Sequence, residues 1–174
     1  MRELPFGTVT FLFTDIEGST KLWEQHPEEM KAALAKHDLL LKDAVESNHG
    51  HIIKTTGDGV HAVFATAIDS VNASISAQRE LHSREAFILH NSSLPLKVRM
   101  GLHTGEAELR DGDYYGGTLN RAARIMSAGH GGQILISETT AQVAREHLPA
   151  DVSLLDLGEH YLKGLTRAER IFQL

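Results

Sequence analysis

The chain has 174 residues, of which 41% are hydrophobic and 23% charged, as is typical of one soluble globular domain with an apolar core. It contains no cysteine, which excludes disulfides and thiolate metal sites and favours a reducing, cytoplasmic location. The formal net charge of −6 argues against nucleic acid as a partner, and no apolar run is long enough to cross a membrane.

The first predicted element is a strand over Thr8–Thr14, which is apolar on both faces through Val9, Phe11, Leu12 and Phe13. A helix is predicted to begin at Ser19 or Thr20, with Trp23 in its core. Pro27 suits the first turn of a second helix. The core stripe predicted for that helix comprises Met30, Ala33, Leu34, Leu41, Ala44 and Val45.

The rest of the chain predicts a hairpin and then alternating helices and strands. The run HIIKTTGDGVHAVF holds two β-rich segments around Gly57-Asp58-Gly59, a sequence typical of a hairpin turn. A helix is predicted over Ala67–His82, and LPLKVRMGLHTGEAEL supplies the next strand. GGTLNRAARIMSAG indicates a short helix with a left-handed cap at Gly129. QILIS and ERIFQL are predicted strands, with a helix over Thr139–His147 between them.

This order of elements predicts an α+β fold rather than a series of βαβ units. We expect a ferredoxin-like, palm-type βαββαβ core, with a mostly antiparallel sheet flanked by helices and additional C-terminal strands and helix. The whole of it fits a single domain over residues 1–174.

Two aspartates lie where such a sheet would bring them together. Asp15 ends the first strand and Asp58 lies at the tip of the hairpin. If the hairpin pairs beside that strand, the carboxylates repel each other unless a cation lies between them. Oxygen ligands with room for water and phosphate suit Mg²⁺ or Mn²⁺. Each aspartate also has an ordinary interpretation, because Asp-Gly is common in turns and aspartate is common at helix N-caps.

The loop after Asp15 is a candidate phosphate site. It opens a helix, and the free backbone N–H groups of a helix start bind phosphate well. The candidate contacts are Gly18, Ser19 and Thr20. Glu17 is expected to be a solvated loop acid rather than a metal ligand.

Several spaced motifs resemble, in the right order, the catalytic domain of the class III adenylyl/guanylyl cyclases. They run from Gly7 to Leu174 and comprise FTDIEGST, IKTTGDGV, RMGLHTGE, DYYGGTLNRAAR and LKGLTRAERIFQL. The resemblance implies that Asp15, Asp58 and the backbone carbonyl of Ile16 bind two Mg²⁺ or Mn²⁺ ions per site. Glu106 departs from the pattern, because some relatives carry at this position an arginine that faces the triphosphate.

The same resemblance assigns the remaining roles. Lys54 and Asp113 occupy the purine-selecting positions, Asn120 and Arg124 the transition-state positions, and Lys163 a position that contacts the terminal phosphates. The chemistry of the purine pair favours ATP, because a lysine that donates and an aspartate that accepts complement the N1 acceptor and N6 amine of adenine. Guanine would place a donor against the lysine and an acceptor against the aspartate, so neither hydrogen bond could form.

The resemblance therefore implies an adenylate cyclase that works as a head-to-tail homodimer with shared sites and releases cyclic AMP and pyrophosphate. Two other interpretations stay open. One is a nucleotide-binding regulatory module that has lost turnover, and the other is a palm-type cyclase that joins two GTP molecules. The acidic hairpin typical of that last class is missing from this sequence, which has TGDGV at the corresponding position. Any regulatory domain would lie outside this chain.

Overall fold

A computed structural model describes residues 3–83 and 94–174. In chain order its elements are β1 (Gly7–Ile16), α1 (Ser19–Gln25), α2 (Pro27–Ser47), β2 (His51–Thr56), β3 (Gly59–Phe64), α3 (Ala67–His82), β4 (Val98–Arg110), β5 (Asp113–Tyr115), α4 (Gly117–Ala128), β6 (Ile134–Ser137), α5 (Glu138–Ala144), a 3₁₀ turn (Arg145–His147), β7 (Leu155–His160) and β8 (Glu169–Gln173). None of the helices in these two ranges is long and apolar enough to cross a membrane.

The strands form one mixed sheet in the order β2-β3-β1-β4-β6-β8-β7, with β5 paired to β4. Within the described residues, β4 and β6 pair in parallel and the other pairs are antiparallel. The first four long strands and the helices between them have the βαββαβ order of a ferredoxin-like palm. The predicted fold class is therefore confirmed, including the C-terminal additions.

Strand β1 lies in the middle of the sheet and contributes to two apolar layers. Leu12 packs into the larger core with α2, α3 and α5. Phe11 and Phe13 point to the other face, where they pack with Ala122 of α4. Successive side chains of a strand point to opposite faces, so a fully apolar strand belongs between two layers. The prediction of a strand buried on both sides is confirmed.

Helix α4 lies unusually close to β4. A Cβ atom added to Gly101 would lie 2.3 Å from the backbone nitrogen of Met126, so only glycine permits this approach. The glycine of RMGLHTG therefore permits the close packing of α4, the helix that carries Asn120 and Arg124, against the sheet.

Three details differ from the sequence-based expectation. Gly129 is not left-handed, because its backbone is extended (φ −84°, ψ 170°). Its lack of a side chain serves packing instead, since a Cβ there would lie 3.2 Å from Cδ1 of Leu135. Trp23 is not in the core, because 39% of its surface is exposed. Strands β5 and β7 were not predicted, since β5 has three residues and β7 is largely exposed.

Candidate active site

The turn between β2 and β3 brings Asp58 to the sheet edge at which β1 ends. The β1–β3 pairing runs to Phe13 opposite His61, and the Val60 N–H donates to Thr14 Oγ1 at 3.0 Å. A Cβ on Gly59 would lie 2.6 Å from the Thr14 carbonyl oxygen, so the glycine after Asp58 permits this close approach. Asp15 follows Thr14 and Asp58 precedes Gly59, so both acids lie at this edge.

Asp58 has an unusual electrostatic environment. Its Oδ2 is buried and accepts no hydrogen bond from any described residue. A buried carboxylate oxygen without a donor is costly, and a bound cation would remove that cost. Among residues 3–83 and 94–174 no cluster of three or more His, Cys, Asp or Glu could hold a metal. Asp15 and Asp58 supply two carboxylates at this place, and oxygen ligands of this kind suit Mg²⁺ or Mn²⁺ when water and phosphate complete the coordination.

Asp15 already has a cationic partner. Arg99 lies directly opposite it on β4, and its Nε and Nη2 both donate to Asp15 Oδ2, at 2.9 and 2.5 Å. Both side chains are about three-quarters buried. The sequence alone did not predict this contact of Arg99, although the β1–β4 register, once known, puts Arg99 beside Asp15. Ile16 is buried through its side chain, which leaves only its backbone for a ligand role.

The loop that follows β1 leads into a helix, as predicted, but Glu17 in this loop contacts another loop instead of only solvent. Gly18 adopts a left-handed conformation (φ 70°) and precedes the seven-residue α1, which begins at Ser19 as predicted. The Glu17 carboxylate turns toward the next loop, where a hydrogen bond from the Gly131 backbone lowers its pKa and His130 lies 3.4 Å away. Glu17 is thus engaged with the loop before β6.

The two candidate purine-selecting residues meet in space although they are distant in sequence. Lys54 Nζ lies 4.0 Å from Asp113 Oδ2, and both side chains are about half exposed. The other oxygen of Asp113 accepts the Tyr114 backbone N–H at 2.8 Å. Lys54 lies opposite His61, whose ring stacks on Phe13 with centroids 3.8 Å apart. A donor and an acceptor therefore stand side by side on an accessible surface.

Helix α4 carries the two candidate transition-state residues, Asn120 and Arg124, one turn apart. Asn120 is exposed, whereas Arg124 is half-buried and its Nε has no hydrogen-bond partner among the described residues. The Arg124 guanidinium lies beside the turn at Lys163 and Gly164, since a Cβ on Gly164 would lie 3.8 Å from Nη2. Across residues 3–83 and 94–174, no hydrogen bond or ion pair joins Asn120 or Arg124 to the two aspartates. Within one chain, Asn120 and Arg124 thus make no direct polar contact with the two aspartates among the described residues.

A buried polar network lies behind this surface. His103 Nδ1 contacts Ser137 Oγ at 2.7 Å, and the Ser137 hydroxyl continues through Thr140 and Thr104 to Thr10. Burial lowers the pKa of His103 to about 4, and the nearby charge of Arg121 acts in the same direction. The histidine is therefore neutral in the folded protein at neutral pH, and its role is in the packing of this buried network.

The protonation of His103 gives a prediction about stability. Between its ordinary pKa of 6.5 and the folded value of about 4, the unfolded state binds more protons, so stability falls as pH falls. From about pH 7.5 to about pH 5.5 this residue should remove about 1.3 kcal/mol from the free energy of unfolding. Replacing His103 with Asn should remove that part of the pH dependence, as measured by urea unfolding at both pH values. The exposed His147→Asn is the matched control. An unchanged pH dependence in His103→Asn would contradict this assignment.

Comparisons with known proteins agree with the fold. The family model of the adenylate and guanylate cyclase catalytic domain matches residues 1–174. The chain is 41% identical over 173 residues to an uncharacterised protein of Mycobacterium tuberculosis, covering 98% of this chain and 56% of that protein. It is 31% identical over 221 residues to an adenylate cyclase of Podospora anserina, covering 98% of this chain but 10% of that protein.

A solved structure gives the same result. The chain is similar to an adenylate cyclase from Trypanosoma brucei in its monomeric state, with a TM-score of 0.82 and 27% identity over 99% of this chain and 90% of that one. The chain spans about half the length of the mycobacterial relative. Because the family match runs from the first residue to the last and the fold is similar to that of a solved cyclase, this chain belongs to the adenylate and guanylate cyclase catalytic domain family.

Proposed function

We propose that this protein is an adenylate cyclase, a phosphorus–oxygen lyase that converts ATP to 3′,5′-cyclic AMP and pyrophosphate. The observation that carries the choice of ATP is the pairing of Lys54 with Asp113, with Nζ and Oδ2 4.0 Å apart. The ammonium group donates to adenine N1, and the carboxylate accepts from the N6 amine. For guanine, the same two groups would face a donor at N1 and an acceptor at O6. Polar mismatches of this kind are strongly discriminating.

The divalent ions of the proposed reaction would be held by Asp15, Asp58 and the Ile16 carbonyl oxygen. The unpartnered Oδ2 of Asp58 supports this assignment, because a carboxylate oxygen kept from water and from donors favours a cation. When bound, Mg²⁺ or Mn²⁺ offsets triphosphate charge and acidifies the ribose 3′-hydroxyl. Gly18, Ser19 and Thr20 are the proposed backbone contacts of the phosphates.

Arg124 and Asn120 are the proposed transition-state residues. In the reaction the ribose 3′-oxygen bonds to the α-phosphorus, the bond from that phosphorus to the bridging oxygen breaks, and pyrophosphate leaves with that oxygen. Negative charge grows on the α-phosphate and the leaving group, where a guanidinium is most useful. The buried Nε of Arg124, which has no partner among the described residues, and the neighbouring Lys163 support this role. Asn120 would orient the ribose.

The proposed working unit is a head-to-tail homodimer with shared sites. One chain would contribute Asp15 and Asp58, and its partner would contribute Lys54, Asp113, Asn120, Arg124 and Lys163. The lack of any direct polar contact between the aspartates and Asn120 or Arg124 among the described residues is consistent with that arrangement. A two-fold dimer of this kind forms two equivalent sites.

The test is a product assay that compares ATP with GTP, in the presence of Mn²⁺, at several protein concentrations. We expect cyclic AMP and pyrophosphate in equal amounts from ATP, little product from GTP, and a specific activity that rises with protein concentration. Faster conversion of GTP would contradict the assignment of the base. Binding of ATP without release of pyrophosphate would identify the alternative, a catalytically silent nucleotide-binding module.

A further inference from the structure

The shortest ion pair at the candidate active site involves Arg99, a residue to which the resemblance to the cyclase family assigned no role. Arg99 directs two N–H groups, on Nε and Nη2, to one oxygen of Asp15. The pair is only about one-quarter exposed, so water screens it far less than a surface pair. A charge-assisted interaction with two donors at 2.5–2.9 Å is among the stronger hydrogen-bonded contacts in proteins.

This contact uses the atom that a metal ion would need. The two donors occupy Asp15 Oδ2, so a cation approaching this carboxylate finds one of its two oxygens already engaged. The guanidinium also carries a fixed positive charge beside the site, and in a partly buried setting that charge repels a divalent ion strongly. Asp58 has no such partner among the described residues, so the two acids differ in their readiness to bind a metal.

We propose that Arg99 is a built-in counter-ion of Asp15 that competes with the divalent cation for this carboxylate. The inference rests on the proposed function, because it concerns the same metal site. In the metal-free protein Arg99 offsets the repulsion between Asp15 and Asp58, and a divalent ion binds fully only when Arg99 releases Oδ2. The affinity for metal in the absence of nucleotide is accordingly kept low.

Arg99 already has a second partner, which it keeps while it contacts Asp15. Its Nη1 lies 3.4 Å from the backbone carbonyl oxygen of Ser127, in the last turn of α4. The C-terminal carbonyls of a helix favour a cation, because they carry the negative end of the helix dipole. A small rotation of the side chain therefore lets the guanidinium leave Asp15 for the end of α4 without losing all of its hydrogen bonds.

The test measures Mn²⁺ binding without nucleotide, by the loss of the free-ion electron paramagnetic resonance signal. Arg99→Gln removes the charge but keeps a donor for Asp15, and should bind Mn²⁺ at least about tenfold more tightly than the unaltered protein. Arg99→Lys keeps the charge and should bind close to the unaltered protein. Arg79→Gln removes the arginine of an exposed pair with Asp151, far from any proposed metal ligand in the sequence, and is the control, with no expected change. The rise in melting temperature on adding Mn²⁺ gives a second readout.

The outcomes separate this inference from the proposed function. Equal or weaker Mn²⁺ binding by Arg99→Gln would overturn the competition and make Arg99 a residue that only orients Asp15. Asp58→Ala should abolish binding in both backgrounds. If neither the unaltered protein nor Arg99→Gln binds Mn²⁺ in a way that depends on Asp58, the metal site of the proposed function fails. If both bind alike, only the role of Arg99 fails.

Discussion

Replacing Asp58 with alanine is expected to lower cyclic AMP formation at least about 1,000-fold and to leave the folded state at least as stable without metal. Activity falls because the proposed ion site loses a charged ligand. Stability does not fall, because the change removes a buried carboxylate oxygen that accepts no hydrogen bond from any described residue. Product formation with Mn²⁺ and ATP measures the first effect, and thermal unfolding in a chelator measures the second.

Asp151→Ala is the matched control, because Asp151 is an exposed aspartate whose partner Arg79 also lies on the surface. Its activity should match that of the unaltered protein. Near-normal turnover by Asp58→Ala would contradict the metal assignment. A large loss of stability would instead mean that Asp58 is a structural turn residue.

Mixing Asp58→Ala with Arg124→Ala extends the same prediction to the dimer. Each parent is expected to be inactive, whereas a mixed dimer keeps one site with both groups intact. After random exchange of subunits, about half of the dimers are mixed and each has one good site of two, so about a quarter of the original activity should return. No recovery, in a sample shown to contain mixed dimers, would count against shared sites.

Exchanging the purine-selecting pair is expected to reverse base preference. The double variant Lys54→Glu with Asp113→Ser gives guanine an acceptor for N1 and N2 and a small hydroxyl near O6. We expect the ratio of kcat/KM for ATP to that for GTP to fall by about 1,000-fold or more, because sites built on hydrogen bonds reject mismatched polar groups strongly. Steady-state kinetics with both nucleotides measures this ratio.

The single variants sharpen this prediction. Lys54→Glu alone and Asp113→Ser alone should lose activity with ATP and gain little with GTP, since each leaves one mismatched group. Lys42→Glu, an exposed change on α2, is the matched control and should keep the original ratio. If the double variant still prefers ATP, the base is recognised elsewhere.

Much of the fold could be predicted from local pattern. The apolar run of β1, the turn residues Gly57 and Asp58, and the helix over Ala67–His82 each have a short-range signal, and all three appear as expected. The α2 stripe was nearly complete, but it omitted His37, which is 1% exposed. Helical spacing includes His37, since it lies four residues from both Ala33 and Leu41. His37 was left out of the predicted stripe because histidine is polar, although the helical spacing places it on the buried face.

The site was less predictable because it depends on pairing across the sheet. The contact between Lys54 and Asp113 joins β2 to β5, a strand too short to detect from three residues. Arg99 reaches Asp15 only because β1 and β4 pair in one particular register. A shift of one residue would move every side chain of a strand to the opposite face. The prediction of a left-handed cap at Gly129 was wrong for a related reason. Glycine is required there because a side chain would contact Leu135, and not because of the conformation at the end of α4.

The most direct test is a crystal structure with Mn²⁺ and an ATP analogue that lacks the 3′-hydroxyl, with anomalous scattering recorded at the manganese edge. We predict manganese peaks within coordination distance of carboxylate oxygens of both Asp15 and Asp58, with adenine against Lys54 and Asp113 of the neighbouring chain. A well-ordered nucleotide with no manganese at the two aspartates would contradict the account.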